Sequence, residues 1–114
     1  MKIILIHNTK IKQNDIGDIF ELRWEEGSPA EFTFDADTTC SFAAKHKELT
    51  TEKFKRAASV NFQQKTARYV LQAGDAEIPG VYEFEFEFSN TTYDFRQTYP
   101  KAETVTYEVV KDAG

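Results

Sequence analysis

An all-β, mostly antiparallel fold follows from three features of the sequence. Apolar and polar residues alternate with a period of two through most of the chain, which places successive side chains on opposite faces of a sheet. The alternating runs are short and recur roughly every ten residues between turn residues, the spacing of an antiparallel sandwich or small barrel. The 10 Phe and 5 Tyr join Trp24 to bring aromatics to 14%, and such side chains favour half-buried pleated surfaces. At 114 residues the chain fits one domain, 1–114, whose core needs no staples.

Residues 3–6 read as a first strand. His7 to Gly17 is polar, with Asn8, Asn14, Asp15 and Gly17 as turn material. From Asp18 to Glu25, Phe20, Leu22 and Trp24 point one way and Glu21 and Arg23 the other. Glu26-Gly27-Ser28-Pro29 breaks that strand, Phe32 and Phe34 alternate with polar neighbours, and Asp35-Ala36-Asp37 makes another turn. Phe42, Ala44 and His46 share a face opposite Ser41, Ala43, Lys45 and Lys47.

Residues 49–64 carry two patterns. Thr50-Thr51-Glu52 resembles a helix start, and Phe54, Ala57 and Ala58 have helical spacing. The same stretch also alternates as Phe54, Arg56, Ala58, Val60, Phe62. The reading adopted is a short helix near 50–58, its turn at 51–56, followed by a strand near 57–63. Tyr69 and Leu71 lie on a strand that ends at Ala73-Gly74-Asp75. Ile78-Pro79-Gly80 is a turn, because Pro fixes φ and Gly tolerates positive φ. In the clearest strand, Val81 to Phe88, Tyr82, Phe84, Phe86 and Phe88 face one side and Glu83, Glu85 and Glu87 the other. Ser89-Asn90 turns the chain. Tyr93 and Phe95 begin a strand toward Tyr99-Pro100, and Val105, Tyr107 and Val109 face inward from the last one, Thr104 to Val110. The total is about seven or eight short strands, and one-sided alternation favours antiparallel pairing.

The net charge of −5 and pI of about 5.0 weigh against nucleic-acid binding and against docking on an anionic membrane, both of which need a basic footprint. The single cysteine, Cys40, excludes an internal disulfide and a Cys-based zinc site. No run approaches the roughly 20 apolar residues of a membrane-spanning helix, so a soluble chain made in the cytoplasm is expected.

The polar residues offer few chemical motifs. Glu83, Glu85 and Glu87 lie about 7 Å apart along one strand face. They are candidate Ca²⁺ ligands if other oxygens join them, or simply a solvated face that discourages edge pairing; separately, two carboxylates among the 19 Asp and Glu would be the material of a glycosidase, a pattern of almost no specificity. His7 and His46, with Ser41, Ser59 or Cys40, would be the material of a nucleophilic site, but no nucleophile elbow accompanies them. Cys40 reads as a small buried thiol. Trp24, Tyr93 and Tyr99 are candidates for a sugar-stacking surface, although Trp24 alternates with Phe20 and Leu22 as a core residue does. No catalytic, cofactor-binding or metal-ligating residue is therefore assigned, and no cofactor is expected.

The order and spacing of several segments carry a family resemblance. They are Tyr69-Val70-Leu71, Asp75, Ile78-Pro79-Gly80-Val81-Tyr82-Glu83-Phe84-Glu85-Phe86, Phe95-Arg96-Gln97-Thr98-Tyr99-Pro100 and Thr106-Tyr107-Glu108-Val109, with Gly17-Asp18-Ile19-Phe20-Glu21-Leu22 before them. The chain resembles the amino-terminal domain of phage baseplate upper proteins of tailed phages that infect Gram-positive bacteria. It departs from that pattern at Glu31-Phe32-Thr33-Phe34, where the family has an Asp-Leu-Thr-Gly-type turn. The resemblance implies an immunoglobulin-like sandwich that is a structural part of the virion. It would dock on other tail or baseplate proteins as a symmetric oligomer in the adsorption apparatus. A small carbohydrate- or protein-binding module is the alternative expectation from the aromatic load and the charge.

Overall fold

The computed structural model describes residues 2–25, 37–92, 94–101 and 103–113. Nine strands run in chain order: β1 (Lys2–Ile6), β2 (Lys10–Lys12), β3 (Ile19–Glu25), β4 (Thr38–His46), β5 (Lys53–Asn61), β6 (Thr66–Val70), β7 (Gly80–Asn90), β8 (Phe95–Tyr99) and β9 (Val105–Val110). They pair in the order β1-β3-β6-β5-β4-β7-β9-β2, with β8 on β7. All pairs are antiparallel except β2 with β9. The all-β class read from the alternation is what the chain adopts: a mostly antiparallel sheet curled into a sandwich-like fold.

The curl comes from β5. Its first part, Lys53 to Ala58, pairs with β4, and its end, Ser59 to Asn61, pairs with β6. The strand thus passes from one layer to the other, a corner device of β-sandwiches. β1, β3 and β6 form one layer; β4, β7, β8, β9 and β2 form the other. Phe20 and Tyr69 from the first layer meet Phe42, Phe84 and Tyr107 from the second. Phe42 sits at the centre, stacked on Tyr69 with ring centroids 4.5 Å apart and planes at 6°, and within 5.5 Å of Phe20, Phe84 and Phe86. Offset and edge-on aromatic contacts of this kind add about 0.5–1.5 kcal/mol beyond area burial.

Four expectations need correction. No helix occurs near 50–58: residues 53–61 are one strand, because backbone pairing on both sides of β5 outweighs the helical spacing of Phe54, Ala57 and Ala58. Residues 10–12, read as turn material, form β2, whose one inward side chain, Ile11, is buried against the core. Ser89 and Asn90 still belong to β7, where they pair with Thr39 and Thr38 of β4; the turn comes at residues 91 and 92. The strands number nine among the described residues rather than seven or eight. The readings at 26–36, including Phe32 and Phe34, and at Tyr93 lie outside the described residues.

The alternation along β7 is as read. Tyr82, Phe84, Phe86 and Phe88 are buried and Glu83, Glu85 and Glu87 face outward. Phe86, fully buried between Phe42 and Phe84, should lose about 3–5 kcal/mol on replacement by Ala. Glu85→Ala should stay within about 0.5 kcal/mol. Urea unfolding of the two variants orders them, and the reverse order would mean that β7 is inside out.

Candidate functional site

The residues singled out in the sequence do not converge. Ser41 and Cys40 are neighbours in β4 and so face opposite sides. Cys40 is buried, and burial first, then the nearby charge of Glu87, pushes its thiol up to about 12. A thiol held that high is protonated at neutral pH and is a poor nucleophile. Ser59 is exposed on β5. His7 is half-buried, its ring stacked 5.7 Å from Phe20 and edge-on to Phe84 at 4.8 Å. Among the described residues no hydrogen bond joins either histidine to Ser41, Ser59 or Cys40, and no group of three His, Cys, Asp or Glu side chains is placed to hold a metal ion.

His46 has a structural duty. Its Nδ1 accepts the backbone N–H groups of Glu48 (3.0 Å) and Leu49 (2.9 Å). That leaves the proton on Nε2, which donates to the carbonyl of Pro79 at 3.1 Å. The ring thus ties the end of β4, the turn after it and the entry to β7. Gly80 lies directly beneath: φ there is +139°, and a Cβ would stand 2.0 Å from His46 Nε2. Glycine is required at Gly80 on both counts.

Two buried carboxylates are saturated by partners. Asp75, read as a turn residue, has a fully buried side chain. It accepts from the Tyr69 hydroxyl, from the backbone N–H of Gln72 (2.9 Å), and from Arg56 through Nε (3.1 Å) and a terminal nitrogen (3.0 Å). Burial, then the Asp75 hydrogen bond, raises the Tyr69 phenol. Glu21 accepts from Arg68 (2.8 Å) and Arg23 (2.7 Å). The Arg68 hydrogen bond chiefly holds the Glu21 carboxyl below its ordinary value, against the opposing effect of burial. Carboxylates so occupied, Asp75 by four hydrogen bonds and Glu21 by three, fasten strands together rather than face an open site.

The aromatic candidates are also inside. Trp24 and Tyr99 are buried and each packs edge-on to Phe88 with ring centroids 6.0 Å apart. Tyr93 lies outside the described residues. No flat sugar-stacking surface forms from Trp24 and Tyr99.

What the first layer does present is an apolar corner at one end of its outer face, beside the Glu21–Arg68–Arg23 ion pairs. Ile19 and Val70 are direct partners across β3 and β6, Ile6 is diagonal to Ile19 across β1, and Ile16 stands beside them on the preceding loop. These four side chains are 43–66% exposed. Ile6, Ile16 and Ile19 line one shallow cleft with His7, Asn8 and Asp18. An exposed cluster of large aliphatic residues marks a contact surface more often than scattered ones do. The sequence carries a faint signal for it, since Ile19 and Val70 occupy outward positions of their alternation; the registers that make them neighbours were not legible. A scan against protein-family models gives no match, and no curated protein matches the chain in sequence.

Two measurements test this account. Gly80→Ala should destabilise by about 2–5 kcal/mol, combining backbone strain with overpacking on His46. Gly74→Ala, also at positive φ but with open space around it, should lose only the strain, about 1–3 kcal/mol. Equal losses would exclude the ring contact. Folding also raises the phenols of Tyr69, Tyr82 and Tyr107 above 10.0, burial being the largest cause at each. A raised folded value means that their contribution is intact below pH 10 and is lost as pH climbs past it, by up to about 1.4 kcal/mol per pH unit for each phenol. Urea midpoints should therefore drop steeply above pH 10, with phenolate absorbance rising at the same transition.

Proposed function

We propose that this chain is a non-catalytic structural domain of a phage tail tip or baseplate, acting by protein–protein contacts in the host-adsorption apparatus. The observation that carries the reading is an apolar corner on the outer side of β1, β3 and β6, where Ile6, Ile16, Ile19 and Val70 stand exposed next to the Glu21–Arg68 ion pair. The ordered likeness of Gly17–Leu22 and Tyr69–Val109 to the amino-terminal domain of baseplate upper proteins supports the place of action. An immunoglobulin-like arrangement is the form that likeness implies. The absence of an enzymatic role is supported by histidines committed to packing and backbone, and by Asp75 and Glu21 saturated by partners. The partners are other tail or baseplate proteins, met as a symmetric oligomer within the virion.

Light scattering of the purified chain, alone and mixed with tail proteins encoded beside it, tests the proposal. A discrete oligomer or a stoichiometric complex is expected. The double variant Ile19→Lys, Val70→Glu, which sets opposite charges across the β3–β6 register, should abolish the association while leaving urea stability within about 1 kcal/mol, since each change is on the surface. A monomer that ignores every tail protein would overturn the reading.

A further inference from the structure

The second layer carries a different surface, which the assembly role does not use. Over the outer face of β5, β4 and β7 lies a cleft of about 610 Å³, within the size range of small-ligand sites. Its floor is Ala43, too short to bridge its neighbours. Pro100, Glu103 and Thr104, from the connection between β8 and β9, form one side. Lys55, the β5 partner of Ala43, reaches across β4 to Glu87 at 3.1 Å and closes one end.

The remaining charges flank that floor. The β4–β5 register sets Lys45 directly opposite Lys53, and the β4–β7 register sets it beside Glu83. Glu85 and Glu103 stand across the floor. Among the described residues Lys45, Lys53, Glu83, Glu85 and Glu103 make no ion pair, whereas Lys55 and Glu87 do. Like charges directly opposite one another destabilise a sheet, and an anion between Lys45 and Lys53 relieves that repulsion. On the other side the carboxylates of Glu85 and Glu103 line the cleft, where they can receive a cation. The two positions are offset by about one and a half strand spacings and one two-residue repeat, or roughly 10 Å. Three extended residues span about the same length.

We infer that this cleft binds a short zwitterion of tripeptide length, its anionic end on Lys45 and Lys53 and its cationic end on Glu85 and Glu103. The inference stands apart from the assembly role, because it uses the opposite layer.

Amide NMR of the full chain at low ionic strength, titrated with triglycine, tests it. Saturable shifts are expected at Ala43, Lys45, Lys53 and Glu85, weakened severalfold by physiological salt, since exposed charge pairs are screened. N-acetyl-triglycine amide, of similar shape and without terminal charges, should give none. Lys53→Gln and Glu85→Gln should each remove the saturable response. The Ile19→Lys, Val70→Glu variant should keep it, which separates this site from the assembly surface. Equal shifts from the blocked peptide, no shift from triglycine, or undiminished binding by Lys53→Gln would each overturn the inference.

Discussion

A slip of one residue between β7 and β4 would carry Glu83, Glu85 and Glu87 into the core and expel three phenylalanines. Because the side-chain period of a strand is two, register is the constraint on which this structure depends. The pairing of Phe42 with Phe86 and Ala44 with Phe84 fixes it. From there it propagates: β4 sets β5, and β7 sets both β8 and β9 along its other edge. The charged face of β7 then does two things at once. It makes the wrong register prohibitive, since an unpaired buried carboxylate is strongly unfavourable, and it lines the outer cleft.

The same logic explains how much could be read beforehand. β3, β4 and β7 were legible because each has one buried and one exposed face, and Phe20, Phe42 and Phe86 mark the buried side. β5 was not, because its inward apolar positions are only half-buried and are interrupted by the exposed Arg56, whose guanidinium lies 5.6 Å above the Phe54 ring on its way to Asp75. A charged residue on the core side weakens the alternation enough for the helical spacing of Phe54, Ala57 and Ala58 to compete with it. β2 is three residues long, and a single inward isoleucine shows no period. Asp75 sits among turn residues and looked like one; only the fold brings Arg56 and Tyr69 to it. For the surfaces, the residue types were visible and their adjacency was not. Ile19 meets Val70, and Lys45 meets Lys53, through registers that no local pattern specifies.

The buried carboxylates tie β6 to the strands on either side of it. Asp75 joins Arg56 of β5 to Tyr69 of β6, and Glu21 of β3 takes Arg68 of β6. These are the strands around which one layer becomes the other. Ion pairs of this sort add little net stability when weighed against apolar replacements, but they have direction, which dispersion contacts lack. They hold β6 in one alignment between β3 and β5, and that alignment places Val70 beside Ile19.

The parallel pair of β2 and β9 joins Lys10 to Glu108 and Ile11 to Val109, bringing together residues from opposite ends of the described chain. During synthesis β2 leaves the ribosome early and finds its neighbour only once β9 has followed. This is the pairing most distant in sequence among the described strands, and its loop entropy must be met before its own hydrogen bonds are gained. Until then the inner face of β7, with four aromatic side chains in a row, lacks its cover from Tyr107 and Val109. The nascent chain spends that interval as a species prone to self-association, and the three glutamates on the opposite face of β7 are the charge that keeps it apart from its copies.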